Sequence, residues 1–189
     1  MNFNDGQNKS KVKRHKVFIS YHHKNDQKYR DRFEHLFSKY YDIMDSMSVK
    51  TGDIDTNLNT NAIRQIIREK HLSDSTVTVV LIGRETWKRK HVDWEIGASL
   101  RGTKNSPRSG LLGIFLPSYQ NPKYYNPYTI PPRLYYNIKC GFAEIYTWTE
   151  DPNAVQKWIH EAFEKRDKVN PNNKLLPFAK NRKGDRWQP

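Results

Sequence analysis

The chain has 189 residues, of which 35% are hydrophobic and 13% aromatic, and it carries a formal net charge of +13. This composition predicts one globular domain and argues against disorder, and no apolar run approaches the about 20 residues of a membrane span. The single cysteine, Cys140, excludes an intramolecular disulfide and a cysteine-based zinc site. Together with the absence of a secretory signal in the opening residues, it predicts a cytoplasmic protein.

Most of the positive charge lies near the two ends of the chain. Residues 1–16 hold five Lys and Arg against one acid, and residues 165–189 hold eight against two. Residues 17–164 are nearly balanced, with 20 Lys and Arg against 17 acids. The ends are therefore interpreted as solvated tails, although anionic partners such as nucleotides stay open.

Five short apolar or β-branched runs are typical of buried strands. They fall at residues 17–19, 41–47, 76–83, 110–117 and 143–148. The Pro- and Tyr-rich segment between residues 117 and 141 is expected to form neither a regular helix nor a central strand.

Helices are predicted between most of the strands. Apolar residues at spacings of three and four predict a helix over 24–41, with Asn25 or Asp26 as its cap. Further helices are predicted over 62–72 and 91–102, and a last one begins with Asp151 as cap and Pro152 in its first turn. This alternation predicts an α/β fold, a doubly wound, five-stranded parallel sheet with helices on both faces. In such sheets ligands bind outside the carboxyl ends of the strands.

Several enzyme classes lack their motifs in this sequence. There is no G-x-G-x-x-G, no P-loop and no G-x-S-x-G, which argues against a classical dehydrogenase, an NTPase and an α/β-hydrolase. His22 and His23 are neighbours that point to opposite sides of a strand end, so they are interpreted as polar loop residues rather than metal ligands.

Glu95 is the leading candidate for chemistry. It lies in the predicted helix 91–102, beside the apolar stripe of Val92, Ile96 and Leu100. A carboxylate there could hold a sugar's hydroxyls and stabilise positive charge at its anomeric carbon, but the helix dipole alone also favours an acid in a first turn. Four further acids lie near the same predicted edge, where ordinary turn chemistry also explains them: Asp45, Asp53, Asp55 and Glu85.

The order of the motifs resembles that of TIR domains over about residues 15–150. The segment "KVFISYHHKND" resembles the first TIR strand and its loop, and "DSTVTVVLIGRETWKRKHVDWEIGAS" resembles the later strand, loop and helix that end in Glu-Ile. The later "IPPRLYYNI" resembles the TIR-like branch of small bacterial proteins, and the size resembles the TIR subunit of the Thoeris antiphage system. The resemblance divides the chain into a basic N-terminal segment (1–14), a TIR-like domain (15–168) and a basic C-terminal tail (169–189).

This resemblance implies a flavodoxin-like fold with NAD as substrate, no cofactor and no metal. Glu95 matches the family's essential glutamate, while His91 stands where many members have Trp. Other residues are expected to bind the substrate: Ser20, Tyr21, His22, His23, Asp45, Asp53, Glu85 and Trp94.

The resemblance also implies an activity. Cleavage of the nicotinamide–ribose bond would pass through an oxocarbenium-like state, after which attack by water gives ADP-ribose and intramolecular attack gives a cyclic ADP-ribose isomer. The implied partners are other TIR protomers, a phage-derived trigger, and an effector that is reached through the nucleotide product.

Three alternatives stay open. The first is a TIR scaffold without catalysis, in which residues 49–61 form the interface. The second is a nucleoside deoxyribosyltransferase-like enzyme. The third is a nucleic-acid binder, which the sequence pI of about 9.7 favours but the nearly neutral middle of the chain does not.

Overall fold

A computed structural model describes residues 14–48, 59–103 and 107–189. Five parallel strands form one sheet in the order β2-β1-β3-β4-β5. They are β1 His15–Ser20, β2 Met44–Met47, β3 Val77–Ile82, β4 Gly110–Phe115 and β5 Ala143–Thr147. The α/β, flavodoxin-like fold with a five-stranded parallel sheet is therefore confirmed.

The helices alternate with the strands along the chain. They are α1 His23–Glu34, α2 Thr60–Ile66, α3 Lys90–Ser99, α4 Pro132–Lys139 and α5 Pro152–Lys168. The π-helical turns His35–Tyr40 and Ile67–His71 extend α1 and α2, and shorter 3-10 turns span Thr86–Lys88, Pro122–Tyr124 and Pro127–Thr129. None of the helices in the described part of the chain has the length and apolar character to cross a membrane.

Helices cover both faces of the sheet, so the central strands β3 and β4 are buried along their whole length. On one face α1 and α5 pack against the strands through residues such as Phe33 and Val155. On the other face α3 and α4 contribute Val92 and Leu134, and α2 packs beside α3. Continuous apolar strands are what burial on both faces requires.

The Pro- and Tyr-rich segment differs from its prediction because it contains α4. Pro132 occupies the first turn of this helix, where a backbone N–H has no helical partner to lose. Leu134 then points into the core under the sheet. The expectation that no regular helix forms between residues 117 and 141 is therefore wrong.

The first turns of α1 and α5 are capped differently. His22 caps α1, because its Nδ1 accepts a hydrogen bond from the backbone N–H of Asn25 at 3.3 Å. The prediction that Asn25 or Asp26 caps this helix is therefore wrong. The prediction for α5 is confirmed, since Asp151 accepts from the N–H of Asn153 at 2.9 Å and Pro152 follows it.

Residues 170–189, called the strap from here on, lie against α3 and α4. Phe178 and Trp187 are buried in these contacts. The indole N–H of Trp187 donates to the carbonyl of Ile130 at 2.8 Å, and its backbone N–H donates to Tyr128 at 3.0 Å. The expectation of a solvated C-terminal tail is therefore wrong for these residues. The basic residues 1–13 lie outside the described part of the chain.

Gly110, the first residue of β4, lies so close to α5 that there is no room for a side chain. A Cβ added to Gly110 would overlap the backbone of α5 at Ala162 and Phe163, whereas one added to Gly102 would meet its nearest atom at 3.8 Å. We expect Gly110→Ala to lower the free energy of unfolding by about 2 kcal/mol, because α5 has to move off the sheet. Gly102→Ala is the matched control in chemical denaturation, and equal stabilities of the two variants would contradict the close approach.

Candidate functional site

The strand order changes direction between β1 and β3, since β2 lies on one side of β1 and the later strands lie on the other. The carboxyl ends of β1 and β3 therefore flank a crevice of the type in which doubly wound proteins bind ligands. Ser20 ends β1, and the chain after β3 leads through the turn Thr86–Lys88 into α3, which carries Glu95.

The Glu95 carboxyl lies against the end of β1. Glu95 is only 2% exposed, and the Ser20 hydroxyl donates a hydrogen bond to its Oε2 at 2.5 Å. Burial raises the pKa of Glu95 to about 8, and the Ser20 hydrogen bond opposes this shift only partly. At neutral pH the resting side chain is therefore mainly the neutral acid.

The neighbours of Glu95 on α3 explain its orientation. Val92 and Ile96 pack under β3 and β4, and Trp94 and Ala98 pack toward α2. The turn of the helix between these two apolar surfaces directs Glu95 toward Ser20. Burial of both apolar surfaces therefore places the carboxyl group at the sheet.

Three histidines lie beside this carboxyl end of β1. The ring of His23 stands between Tyr21, at a centroid distance of 4.5 Å, and His91, at 4.7 Å. His91 Nε2 lies 3.3 Å from the carbonyl oxygen of Tyr21, which only accepts, so this nitrogen carries the proton. Burial lowers the pKa of His91 to about 3, with the positive charge of a protonated His23 as the next cause.

The other two imidazoles are also biased toward the neutral form. Burial, followed by the nearby charge of Arg89, lowers the pKa of both His22 and His23. His22 uses its Nδ1 as the cap of α1, as described above. The Tyr21 hydroxyl donates to Gln27 Oε1 at 2.7 Å, so it too has a structural partner.

One residue expected to bind substrate, Asp45, does not lie with Glu95. Asp45 pairs in register with Lys16 and forms an ion pair with Arg14, which places it at the amino end of the sheet. Its predicted place at the carboxyl edge is therefore wrong, because β2 pairs with β1 from its first residue onward. Asp53 and Asp55 lie outside the described residues.

Trp94 points away from the Glu95 carboxyl. Its indole N–H donates to the carbonyl of Phe178 in the strap at 2.9 Å, and the Lys90 ammonium lies 4.8 Å from its ring centroid. The described contacts of Trp94 are therefore those of a packing residue between α2, α3 and the strap.

Glu85 lines a separate cleft. Its carboxylate accepts from Lys88 Nζ at 2.9 Å and from Asn25 Nδ2 at 3.0 Å, and these two hydrogen bonds lower its pKa. The cleft has a volume of about 700 Å³ and does not include Glu95. It is lined by Asn25, Arg84, Glu85, Trp87, Lys88, Tyr119, Gln120, Thr129, Gly184 and Asp185.

Sequence reasoning missed the buried carboxyl of Asp26. The hydroxyls of Ser118 and Thr86 donate to it at 3.1 and 3.5 Å, so it joins α1 to the segments that follow β4 and β3. Burial raises the pKa of Asp26. Gly83 lies directly against this carboxyl, where a Cβ would collide with it. In the sequence, Gly83 at the end of an apolar strand indicates that some group approaches the backbone closely there, but it does not identify that group as Asp26.

The second missed feature is a buried ion pair between α3 and α4. Arg133 Nε donates to Asp93 Oδ1 at 2.9 Å, and its Nη2 lies 3.3 Å from Oδ2. The same guanidinium donates to Asn173 and to the carbonyl of Leu175, both in the strap. No sequence pattern links residues 40 positions apart, so only the structure identifies this pair.

Within the described ranges, no three His, Cys, Asp or Glu side chains converge as a metal ion requires. The sheet order and the carboxyl-bearing helix after β3 are those expected of a TIR-like domain. A family model described as "Thoeris protein ThsB, TIR-like domain" matches residues 18–121, which is more than half of the chain. The chain therefore belongs to the ThsB TIR-like family, a family of antiphage defence. A comparison with curated proteins found no match.

The raised pKa of Glu95 predicts a pH-dependent stability difference from Glu95→Gln. Below pH about 4.5 the carboxyl is protonated in both folded and unfolded chains, so its burial costs nothing extra. Between about 4.5 and 8 the unfolded chain ionises first, and the wild type loses up to about 1.4 kcal/mol per pH unit relative to Glu95→Gln. Above pH about 8 the difference stays constant.

Urea denaturation across this pH range measures the difference directly. The exposed Glu144, which pairs with Lys165, provides the matched control Glu144→Gln. A wild-type minus Glu95→Gln difference that does not change with pH would contradict the burial of an acid with a raised pKa.

The Asp93–Arg133 pair predicts strong coupling between its two partners. Arg133→Met leaves a buried carboxylate without its cation, and we expect it to cost about 3–5 kcal/mol of stability. The double variant Asp93→Asn/Arg133→Met should lose clearly less than the sum of the two single losses. Chemical denaturation of the wild type, the two single variants and the double variant measures this coupling. Additive losses of stability would contradict it, because they would show that Asp93 and Arg133 contribute independently of each other.

Proposed function

We propose that this protein is an NAD-consuming enzyme of antiphage defence that cleaves the nicotinamide–ribose bond and releases a cyclic ADP-ribose-type signal. The signal would activate a separate effector. The observation that carries the proposal is the Glu95 carboxyl, buried at the carboxyl end of β1 and held by Ser20. Membership of the ThsB TIR-like family supports the defence context.

The electrostatics of Glu95 suit a cationic substrate. Burial raises the pKa of Glu95 and so favours the neutral side chain in the single chain. The nicotinamide ring of NAD carries a positive charge, which favours the carboxylate when the ring lies close to it. The charged form of Glu95 would therefore arise when the substrate binds.

The carboxylate then stabilises the developing charge on the sugar. As the bond between C1′ of the ribose and the nicotinamide nitrogen breaks, its electron pair leaves with nicotinamide and positive charge develops on the ribose. Ser20 occupies Oε2, which leaves Oε1 for the ribose hydroxyls. A carboxylate that is already positioned in a site of low polarity stabilises this developing positive charge more strongly than a carboxylate in water does.

The fate of the sugar cation depends on the access of water. Attack by water at C1′ gives ADP-ribose, whereas attack by a nucleophile of the same molecule gives the cyclic product. Glu95 is almost fully buried in the single chain, so a substrate has to displace part of its cover. We propose that assembly with other TIR protomers, in response to a phage-derived trigger, opens the site and that the resting chain has low activity.

Mass spectrometry of small molecules from cells tests the proposal. Cells that express the wild type, Glu95→Gln or the control Glu144→Gln are compared with and without phage infection. We expect a species with the mass of cyclic ADP-ribose in infected wild-type and control cells, and its loss in Glu95→Gln. Thermal unfolding of the purified variants confirms that each is folded.

Other outcomes would replace the proposal. A rise in ADP-ribose without the cyclic species would identify a hydrolase, and protection from phage without either product would identify a non-catalytic scaffold. Cleavage of nucleosides but not of NAD would identify a deoxyribosyltransferase-like enzyme.

A further inference from the structure

The cleft of about 700 Å³ lies at the same edge of the sheet as Glu95 but does not include it. Its walls come from the start of α1, the segment after β3, the segment after β4 and the strap. We propose that this cleft binds a phosphate-bearing small molecule of nucleotide size, with Arg84 as its main phosphate-binding group. This inference goes beyond the proposed NAD cleavage and does not depend on it.

The cleft is lined by two basic side chains, Arg84 and Lys88, and two acids, Glu85 and Asp185, so the partners of these charges decide what the cleft can bind. The negative charge of Glu85 is already balanced by Lys88 and engaged by Asn25. Arg84 is exposed, and in the described parts of the chain it forms no hydrogen bond or ion pair. Its guanidinium is therefore available for a phosphate group, which it can bind through two parallel hydrogen bonds.

The strap adds positive charge to the rim. Its residues 179–186 contain four Lys and Arg and one acid, Asp185. Gly184 and Asp185 line the cleft, with Lys183 and Arg186 directly beside them in the chain. The strap therefore carries an excess of basic residues next to the cleft, which would raise the local concentration of an anionic ligand.

This wall of the cleft is held in place at several points. The side chain of Asn181 accepts from the N–H of Lys90, the first residue of α3, at 2.9 Å. The N–H of Arg182 donates to the carbonyl of Lys88 at 2.7 Å. The buried rings of Phe178 and Trp187 anchor the strap on either side of the basic stretch. The cleft is thus largely formed before a ligand binds, which lowers the entropy that binding costs.

The size and lining of the cleft indicate the class of ligand. Pockets for small molecules have volumes of about 300–1,000 Å³. Trp87 is buried beneath the surface, and the hydroxyl of Tyr119 is 2.6 Å from Thr129 Oγ1, so few apolar groups are offered to a ligand. A polar lining with a cationic rim fits a phosphorylated molecule better than a lipid chain.

Isothermal titration calorimetry of the full chain with ADP tests the proposal. We expect Arg84→Gln to weaken ADP binding by about tenfold or more, because a charged hydrogen bond is lost. Arg101→Gln is the matched control, since Arg101 is an exposed arginine just beyond the other end of α3. Both Arg101→Gln and Glu95→Gln should bind ADP as the wild type does.

Nuclear magnetic resonance with the same ADP titration locates the ligand. We expect the largest shifts at the backbone amide of Gly184 and the indole N–H of Trp87, and competition from inorganic phosphate. The proposal is overturned if the wild type does not bind ADP at millimolar concentration, or if Arg84→Gln binds it unchanged. Loss of ADP binding in Glu95→Gln would assign the ligand to the Glu95 site instead, while the test of NAD cleavage stands separately.

Discussion

The buried ion pair between Asp93 and Arg133 holds α3, α4 and the strap together. Taking both charges out of water costs several kcal/mol per ion, and only complete hydrogen bonding compensates for that cost. Here both carboxylate oxygens of Asp93 are used, one of them also by the backbone N–H of Phe178 at 3.0 Å. The guanidinium also binds Asn173 and the carbonyl of Leu175. One polar cluster therefore joins α3, α4 and the strap.

Two acids on α3 show how the surroundings divide their roles. Asp93 has a guanidinium as its partner, whereas within the described ranges the Glu95 carboxyl is bonded only to the Ser20 hydroxyl, and burial raises the pKa of Glu95. The two side chains are two positions apart, so the helix directs them to different sides. The first fixes the helix, and the second is the group on which the proposed cleavage of NAD depends. The edge of the sheet thus combines a buried ion pair, a buried acid with a raised pKa, and a cleft beside the basic stretch of the strap.

The sequence predicts the features that depend on local patterns. Apolar runs locate all five strands, the Asp151–Pro152 pair marks the start of α5, and the TIR resemblance selects Glu95. What it misses depends on partners far away in the chain. The place of Asp45 follows from strand register, and the carboxyl of Asp26 finds its donors in two other segments. The strap has no hydrophobic period, because hydrogen bonds and two buried rings hold it. In α4, proline starts a helix that the general rule against proline had excluded.

The strap also bears on the order in which the chain folds. Its hydrogen bonds to α3 join residues that are 76 to 91 positions apart, from the Asn173–Gly97 bond to the Asn181–Lys90 bond. Loop closure over such distances has to be completed before these contacts contribute, so they form slowly in comparison with local ones. We therefore expect the parallel sheet and its helices to assemble first. The rings of Tyr128, Tyr135 and Tyr136, which contact Trp187 in the folded chain, would then still be uncovered. Docking of the strap would be the last event, and α3 with its carboxyl group would reach its final position only then.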